Sequence, residues 1–193
     1  MPAADLPLLV RAALDAGPIA LRFWKNAPRA WDKGGTAGPV TEADLAVNEQ
    51  LEATLRAARP DYGWLSEESA DDPARRRAER IFIVDPIDGT RAFIDGQDGF
   101  CHAIAVAERG RVTAAAVYLP ARDLIYAASV DGPATRNGDP VRPSDTDLPG
   151  ARVLTSRASL DPAMWRTDRP PPFRREFRPS IAWRLCLAAE GRF

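Results

Sequence analysis

The sequence contains 193 residues, of which 45% are hydrophobic and 27% charged, with 26 basic against 27 acidic side chains. This length can bury a core in one domain or two small lobes. The balanced charge does not favour a nucleic-acid partner, which usually requires a basic excess. The amino terminus lacks the pattern of a signal peptide, and no apolar run approaches the about 20 residues that span a bilayer, so no membrane association and a cytoplasmic location are expected.

Hydrophobic periodicity predicts helices and strands along the whole chain. In chain order we expect a helix over 6–24 bent near Gly17-Pro18, a flexible loop over 32–39, a helix over 41–59, strands over 62–65, 81–84, 103–107, 112–118, 124–129 and 153–155, and a helix over 180–190. Thr41 is a natural N-cap for the second helix, with Asp44 three residues on, as in a capping box. Residues 131–150 are turn-rich, and residues 168–179 predict an irregular basic loop.

Several apolar or weakly polar residues are expected in the core rather than in a site. In the last helix we expect Ile181, Leu185 and residues 187–189 to face inward. His102 begins a predicted buried strand and has no second histidine or triad partner in the sequence, so a core or edge position is expected for it. Cys101 and Cys186 form neither a CxxC nor a CxxH pattern, so neither a disulfide framework nor a zinc site is implied.

The most informative stretch is IFIVDPIDGT, residues 81–90, in which an apolar run leads into two aspartates. The run fits a fully buried strand. Asp85 and Asp88 follow it, and acidic groups at the end of a buried strand are costly unless something pairs with them. If a helix starts at this point, the N–H groups of Gly89 and Thr90 can bind an anion.

Two further acidic pairs stand near predicted element ends, Glu42 with Asp44 and Glu67 with Glu68. Hard cations such as Mg²⁺ take oxygen ligands, and few other arrangements tolerate so many carboxylates together. These residue types are those of metal-assisted phosphoryl hydrolysis. A simpler interpretation stays open, in which the DPIDG segment is only a turn with no chemistry.

The segment VDPIDGTRAF resembles the signature of the inositol monophosphatase family of metal-dependent phosphatases. The resemblance extends over essentially the whole chain through Lys33 with PVTEAD (39–44), LSEES (65–69), RNG (136–138) and residues 180–191. It implies an α/β fold, a layered α-β-α-β-α sandwich, with residues 1–125 as a metal-binding lobe and 126–193 as part of a second lobe. It also implies a homodimer.

By this resemblance, Glu67, Asp85 and the Ile87 carbonyl hold one Mg²⁺, and Asp85 and Asp88 share a second. The family pattern continues with a Trp-Asp motif whose aspartate completes the second metal site, and this sequence reaches Phe193 without it. The chain is therefore either a fragment or naturally short. We expect the second metal site to be weakened and the second lobe to be incomplete.

The resemblance also assigns catalytic and binding roles. Asp44 and Thr90 form the pair that orients the attacking water, and Glu68 supports the metal site. Lys33, on a flexible loop, approaches the site when it closes. Phosphate and substrate contacts are implied for Gly89, Thr90, Lys33 and Ser180.

The implied activity is Mg²⁺-dependent hydrolysis of a small soluble phosphate ester by direct attack of a metal-activated water. The family covers inositol monophosphates, 3′-phosphoadenosine 5′-phosphate, fructose 1,6-bisphosphate and histidinol phosphate. Arg91, which follows the DGT residues, favours a nucleotide or histidinol phosphate as the substrate. Two alternatives are kept: a haloacid-dehalogenase-type phosphatase, whose D-x-D-G-T signature is one residue shorter, and a phosphate- or metal-binding module without turnover.

Overall fold

The structure is a computed structural model, and it describes residues 5–34, 38–147 and 150–193. The helices are α1 (Asp5–Phe23), α2 (Glu42–Ala58), α3 (Thr90–Ile94) and α4 (Ile181–Ala189). The strands are β1 (Ala30–Asp32), β2 (Pro39–Thr41), β3 (Gly63–Ser66), β4 (Arg80–Asp88), β5 (Cys101–Glu108), β6 (Arg111–Leu119), β7 (Leu124–Ser129), β8 (Thr135–Arg136), β9 (Asp139–Pro140), β10 (Arg152–Leu154) and β11 (Arg174–Glu176). A 3₁₀ turn spans Pro73–Arg77, between β3 and β4.

A seven-stranded mixed sheet organises the molecule, with the strands in the order β3-β4-β5-β6-β7-β8-β9. Strands β3 and β4 are parallel, whereas the remaining neighbours are antiparallel. Two small sheets accompany it, β1 with β2 antiparallel and β10 with β11 parallel. The expected α/β sandwich is confirmed, and the division into lobes at residue 125 stays a prediction.

Helices α1 and α2 cover one face of the sheet and form the main core with it. The helix α1 runs through Pro18 without interruption. Gly17 lets α1 approach the sheet closely, because a Cβ at this position would lie 2.6 Å from the ring of Tyr118. Helix α2 begins with the predicted capping box between Thr41 and Asp44.

Helix α4 packs on the opposite face of the sheet through Trp183 and Leu187, which are buried against residues of β5, β6 and β7. The prediction that Ile181 and Leu185 face inward is wrong, since they are 63% and 67% exposed. Of residues 187–189, also predicted to face inward, Leu187 is buried whereas Ala188 and Ala189 are exposed. Residues 183 and 187 are one helical turn apart, so residues 181 and 185 lie on another face of the same helix.

Two further expectations are corrected by the strands. Strand β4 is not fully buried, because Phe82 and Val84 are buried while Ile81 and Ile83 are partly exposed. The segment predicted as an irregular basic loop contains β11. The expected loop 32–39 joins β1 to β2, and residues 35–37 of it lie outside the described residues. None of the helices in the described ranges combines the length and apolarity that a membrane crossing requires.

Candidate active site

A cleft of about 530 Å³ opens where strands β3 and β4 end and helix α3 begins. Residues that sequence reasoning assigned to the site form much of its wall. They are Lys33, Glu67, Asp85, Ile87, Asp88, Gly89 and Thr90. Because β3 and β4 are parallel, their carboxyl ends meet at one edge of the sheet, and this brings Glu67 close to Asp85.

The end of β4 departs from regular pairing. Asp85 pairs with Ala103 and Asp88 with Cys101, so two residues of β4 stand opposite the single residue His102 of β5. Such a bulge bends a strand and redirects its side chains. Gly89 then adopts a φ of +99°, which a side chain rarely tolerates, and helix α3 starts at the next residue.

Asp44 and Thr90 form the hydrogen-bonded pair that the resemblance implied. The hydroxyl of Thr90 lies 3.2 Å from Oδ1 of Asp44 and 3.0 Å from the carbonyl oxygen of Ile87. The other oxygen of Asp44 accepts hydrogen bonds from the backbone N–H and the hydroxyl of Thr41, at 2.9 and 2.5 Å. Burial raises the pKa of the fully buried Asp44 carboxyl, although the Thr41 hydrogen bonds act against this.

Glu67 and Glu68 follow strand β3, and Lys33 reaches them from the segment after β1. The ammonium of Lys33 lies 2.6 Å from Oε1 of Glu68 and 4.0 Å from Oε1 of Glu67. Burial raises the pKa of the Glu68 carboxyl, and the Lys33 hydrogen bond opposes this rise. Carboxylate oxygens of Asp44, Glu67 and Glu68 lie within 4.8 Å of one another, so negative charge is concentrated here.

Asp85 is the most perturbed carboxyl of the cleft. Burial raises its pKa to about 8, and the negative charges of Glu67 and Asp88 add to the effect. Its Oδ1 atom is buried and finds no hydrogen-bond donor among the described residues. A buried carboxylate oxygen without a partner is costly, and a bound cation would remove that cost.

Asp88 is held in place by the start of helix α4. Its Oδ2 atom accepts hydrogen bonds from the Ser180 hydroxyl at 2.7 Å and the Ala182 N–H at 2.6 Å. Ser180 is fully buried and also caps α4 by accepting from the Trp183 N–H. Its predicted role as a substrate contact therefore does not match its surroundings, because the side chain stands behind Asp88 and outside the cleft lining.

The residues present fit Mg²⁺. Carboxylates and a backbone carbonyl are the oxygen ligands that this ion takes, and Glu67, Asp85, Ile87 and Asp88 all line the cleft. The unpartnered, buried Oδ1 of Asp85 is the observation in this structure that most directly supports the fit of a cation to this cleft.

Sequence reasoning missed part of the cleft wall. Asp95, Gln97, Phe177, Pro179 and Ile181 also line it. The last three come from the segment before and at the start of α4, and no local sequence signal connects that segment to the DPIDG turn. Ser180 and Ala182 were visible as small residues at a helix start, but their hydrogen bonds to Asp88 were not predictable.

Comparison with known proteins gives a consistent result. Residues 4–190 match the model of the inositol monophosphatase family. This chain belongs to that family. It is 30% identical over 193 residues to the 3′(2′),5′-bisphosphate nucleotidase CysQ of Salmonella typhimurium, covering 96% of this chain and 77% of that protein. It is 28% identical over 148 residues to the inositol monophosphatase of Dictyostelium discoideum, covering 76% of this chain and 54% of that protein.

The fold is similar to that of the extragenic suppressor protein suhB from Bartonella henselae, with a TM-score of 0.84 and 26% identity over 98% of this chain and 76% of that one. The chain thus spans about half the length of the Dictyostelium relative and about three quarters of the other two proteins. Membership of this family does not favour the haloacid-dehalogenase-type alternative.

Proposed function

We propose that this protein is a Mg²⁺-dependent phosphomonoesterase that hydrolyses a small phosphate ester by direct attack of water. The observation that carries the proposal is the Thr90–Asp44 hydrogen bond at the edge of a cleft lined by Glu67, Asp85 and Asp88. The Thr90 hydroxyl can pass a proton to the buried Asp44 carboxylate, and oxygens that can bind a metal lie beside this pair. Such an arrangement is suited to activating water for attack on phosphorus.

Glu67, Asp85, the Ile87 carbonyl and Asp88 would hold the metal. When bound, Mg²⁺ polarises phosphate oxygens and lowers the pKa of water. Thr90 accepts a hydrogen bond from the attacking water and passes a proton to Asp44, whose raised pKa makes it a better proton acceptor than an exposed aspartate. As the water oxygen bonds to phosphorus, the ester P–O bond breaks, releasing phosphate and an alcohol that takes a proton from solvent.

The remaining residues position the substrate and the carboxylates. Gly89 and Thr90 line the cleft at the start of α3, where their N–H groups would bind phosphate oxygens. Lys33 forms an ion pair with Glu68 and lines the cleft, where its ammonium would contact the phosphate. Ser180 fixes the orientation of Asp88. By the family resemblance we propose a homodimer, and a cytoplasmic location stays our proposal from the sequence pattern.

For the substrate we propose an inositol monophosphate or a 3′-phosphoadenosine 5′-phosphate type of ester, and two features favour the nucleotide. Arg91 lines the cleft and offers a second anion contact, and the half-exposed ring of Phe177 at the cleft wall offers a surface on which a base can stack. The similarity to a bisphosphate nucleotidase over nearly the whole chain supports this choice.

Phosphate release tests the proposal with inositol 1-phosphate, 3′-phosphoadenosine 5′-phosphate, histidinol phosphate and fructose 1,6-bisphosphate as substrates. We expect activity with Mg²⁺, none in EDTA, and recovery when Mg²⁺ is restored. Full activity in EDTA would refute metal dependence. Substrate binding without phosphate release from any of the four would favour the binding-module alternative, and a covalent aspartyl-phosphate would exclude direct attack by water.

A further inference from the structure

The single histidine of the sequence, His102, stands opposite the bulge that shapes the end of β4. Its imidazole is fully buried, and its Nδ1 atom lies 2.5 Å from the carbonyl oxygen of Pro86. A carbonyl oxygen only accepts hydrogen bonds, so Nδ1 carries the proton. The other ring nitrogen, Nε2, is buried with no partner in the part of the chain that the structure describes.

The bulge explains why this hydrogen bond is needed. Two residues of β4, Pro86 and Ile87, face one residue of β5, and the regular ladder is interrupted between Asp85 and Asp88. A buried backbone carbonyl still requires a donor. The imidazole of His102 supplies it to Pro86. The Ile87 carbonyl oxygen lies 3.0 Å from the Thr90 hydroxyl, whose single proton is donated to Asp44 in the proposed relay.

We infer that His102 is a positioning residue, whose neutral imidazole holds the Pro86–Ile87 bulge so that the Ile87 carbonyl and the Asp88 carboxylate are presented to the cleft. The ring is itself fixed by neighbours. The ring centroids of His102 and Tyr118, its cross-strand partner on β6, are 6.3 Å apart, and the Tyr118 hydroxyl donates to Asp123 at 3.2 Å. This inference rests on the proposed metal site, but it concerns the backbone that carries the ligands.

Two substitutions separate the hydrogen bond from the bulk of the ring. His102→Leu keeps a branched apolar side chain and removes the donor, whereas His102→Asn places an amide N–H at the position of Nδ1. Partners that orient metal ligands typically contribute about 10- to 100-fold to metal affinity. We therefore expect His102→Leu to weaken Mg²⁺ binding by about 10- to 100-fold, and His102→Asn to restore most of the loss.

Nuclear magnetic resonance of ¹⁵N-labelled protein, with calorimetric Mg²⁺ titration, tests this. Because the sequence has one histidine, its ring nitrogens give one set of signals, and we expect the Nδ1-protonated tautomer. Backbone amide shifts of residues 87–90 should change in His102→Leu more than in His102→Asn. Val106→Ala is the matched control, since it removes buried volume from the same strand away from the bulge, and it should leave Mg²⁺ affinity unchanged.

The inference is overturned if the NMR spectra place the proton on Nε2. It is also overturned if the backbone amide chemical shifts of residues 87–90 are the same in His102→Leu as in the parent. Equal loss of Mg²⁺ affinity in His102→Leu and Val106→Ala also overturns it, because general destabilisation of β5 would then be the cause. If the parent binds no Mg²⁺, the proposed function fails, and the tautomer and amide shifts alone decide the role of His102.

Discussion

Replacing Asp85 by asparagine is expected to stabilise the protein without metal and to abolish its stabilisation by Mg²⁺. The pKa of the Asp85 carboxyl is about 8 in the fold against an ordinary value of 3.8. A carboxyl whose folded pKa is raised stabilises the fold most when it is protonated. That contribution is present below the unfolded pKa and is lost as the pH rises through the folded pKa.

The size of the effect follows from the two pKa values. At 1.36 kcal/mol per pH unit, this carboxyl lowers the free energy of unfolding by about 4 kcal/mol between low pH and pH 7. Water in the open cleft screens the neighbouring charges, so we expect a gain of about 1 to 3 kcal/mol for Asp85→Asn at pH 7. For a chain of this length, each kcal/mol shifts Tm by roughly 2 to 4 °C.

Thermal unfolding from pH 5 to pH 8.5, in EDTA and in Mg²⁺, measures both effects. In EDTA the advantage of Asp85→Asn should grow with pH and level off above pH 8. With Mg²⁺ at 1,000 times Kd the order should reverse, because the bound ion then stabilises the parent by about 4.1 kcal/mol, which exceeds the advantage expected for Asp85→Asn. Asp95→Asn is the control, since Asp95 lines the same cleft but is exposed. A Tm for Asp85→Asn that is no higher than the parent's at any pH in EDTA refutes the reasoning.

Three further substitutions follow from the site. Asp88→Asn preserves size but removes a ligand charge, so Mg²⁺ affinity and turnover should both fall by orders of magnitude; near-normal activity would instead support a purely structural turn. Thr90→Ala leaves the metal ligands in place, so Mg²⁺ titration should match the parent while turnover falls by roughly 10² to 10⁴. Arg91→Ala should raise KM for 3′-phosphoadenosine 5′-phosphate by about tenfold, the cost of a lost charge-assisted hydrogen bond, with little change for inositol 1-phosphate. Equal effects on both substrates would remove the argument for a second anion contact.

Local sequence signals predicted the parts of the site that lie within one element or one turn. The capping box fixed the position of Asp44 at the start of α2, because Thr41 and Asp44 are three residues apart. The DPIDGT segment combined a strand end, a glycine with positive φ and a helix start within six residues. In each case the geometry is determined by neighbours in the chain, so the residue types alone are informative.

Features set by pairing between distant segments could not be predicted. The hydrogen bond from Ser180 to Asp88 joins residues 92 positions apart, and it depends on how α4 packs against the sheet. The bulge opposite His102 depends on the register in which β4 and β5 pair, and the composition of these strands does not specify that register. The same limit explains the wrong orientation of Ile181 and Leu185, since the apolar pattern of α4 is compatible with more than one buried face.

The cleft gathers several acidic groups, and the fold does not stabilise all of them equally. Asp44 and Asp88 are satisfied by hydrogen bonds from Thr41, Thr90, Ser180 and Ala182, whereas Asp85 keeps an unpartnered buried oxygen beside other carboxylates. A residue that served only the turn would be expected to have its buried oxygens paired. The carboxyl whose ionised form costs the fold most is thus one that we propose as a metal ligand, and this cost to stability is the strongest physical reason to assign it a function.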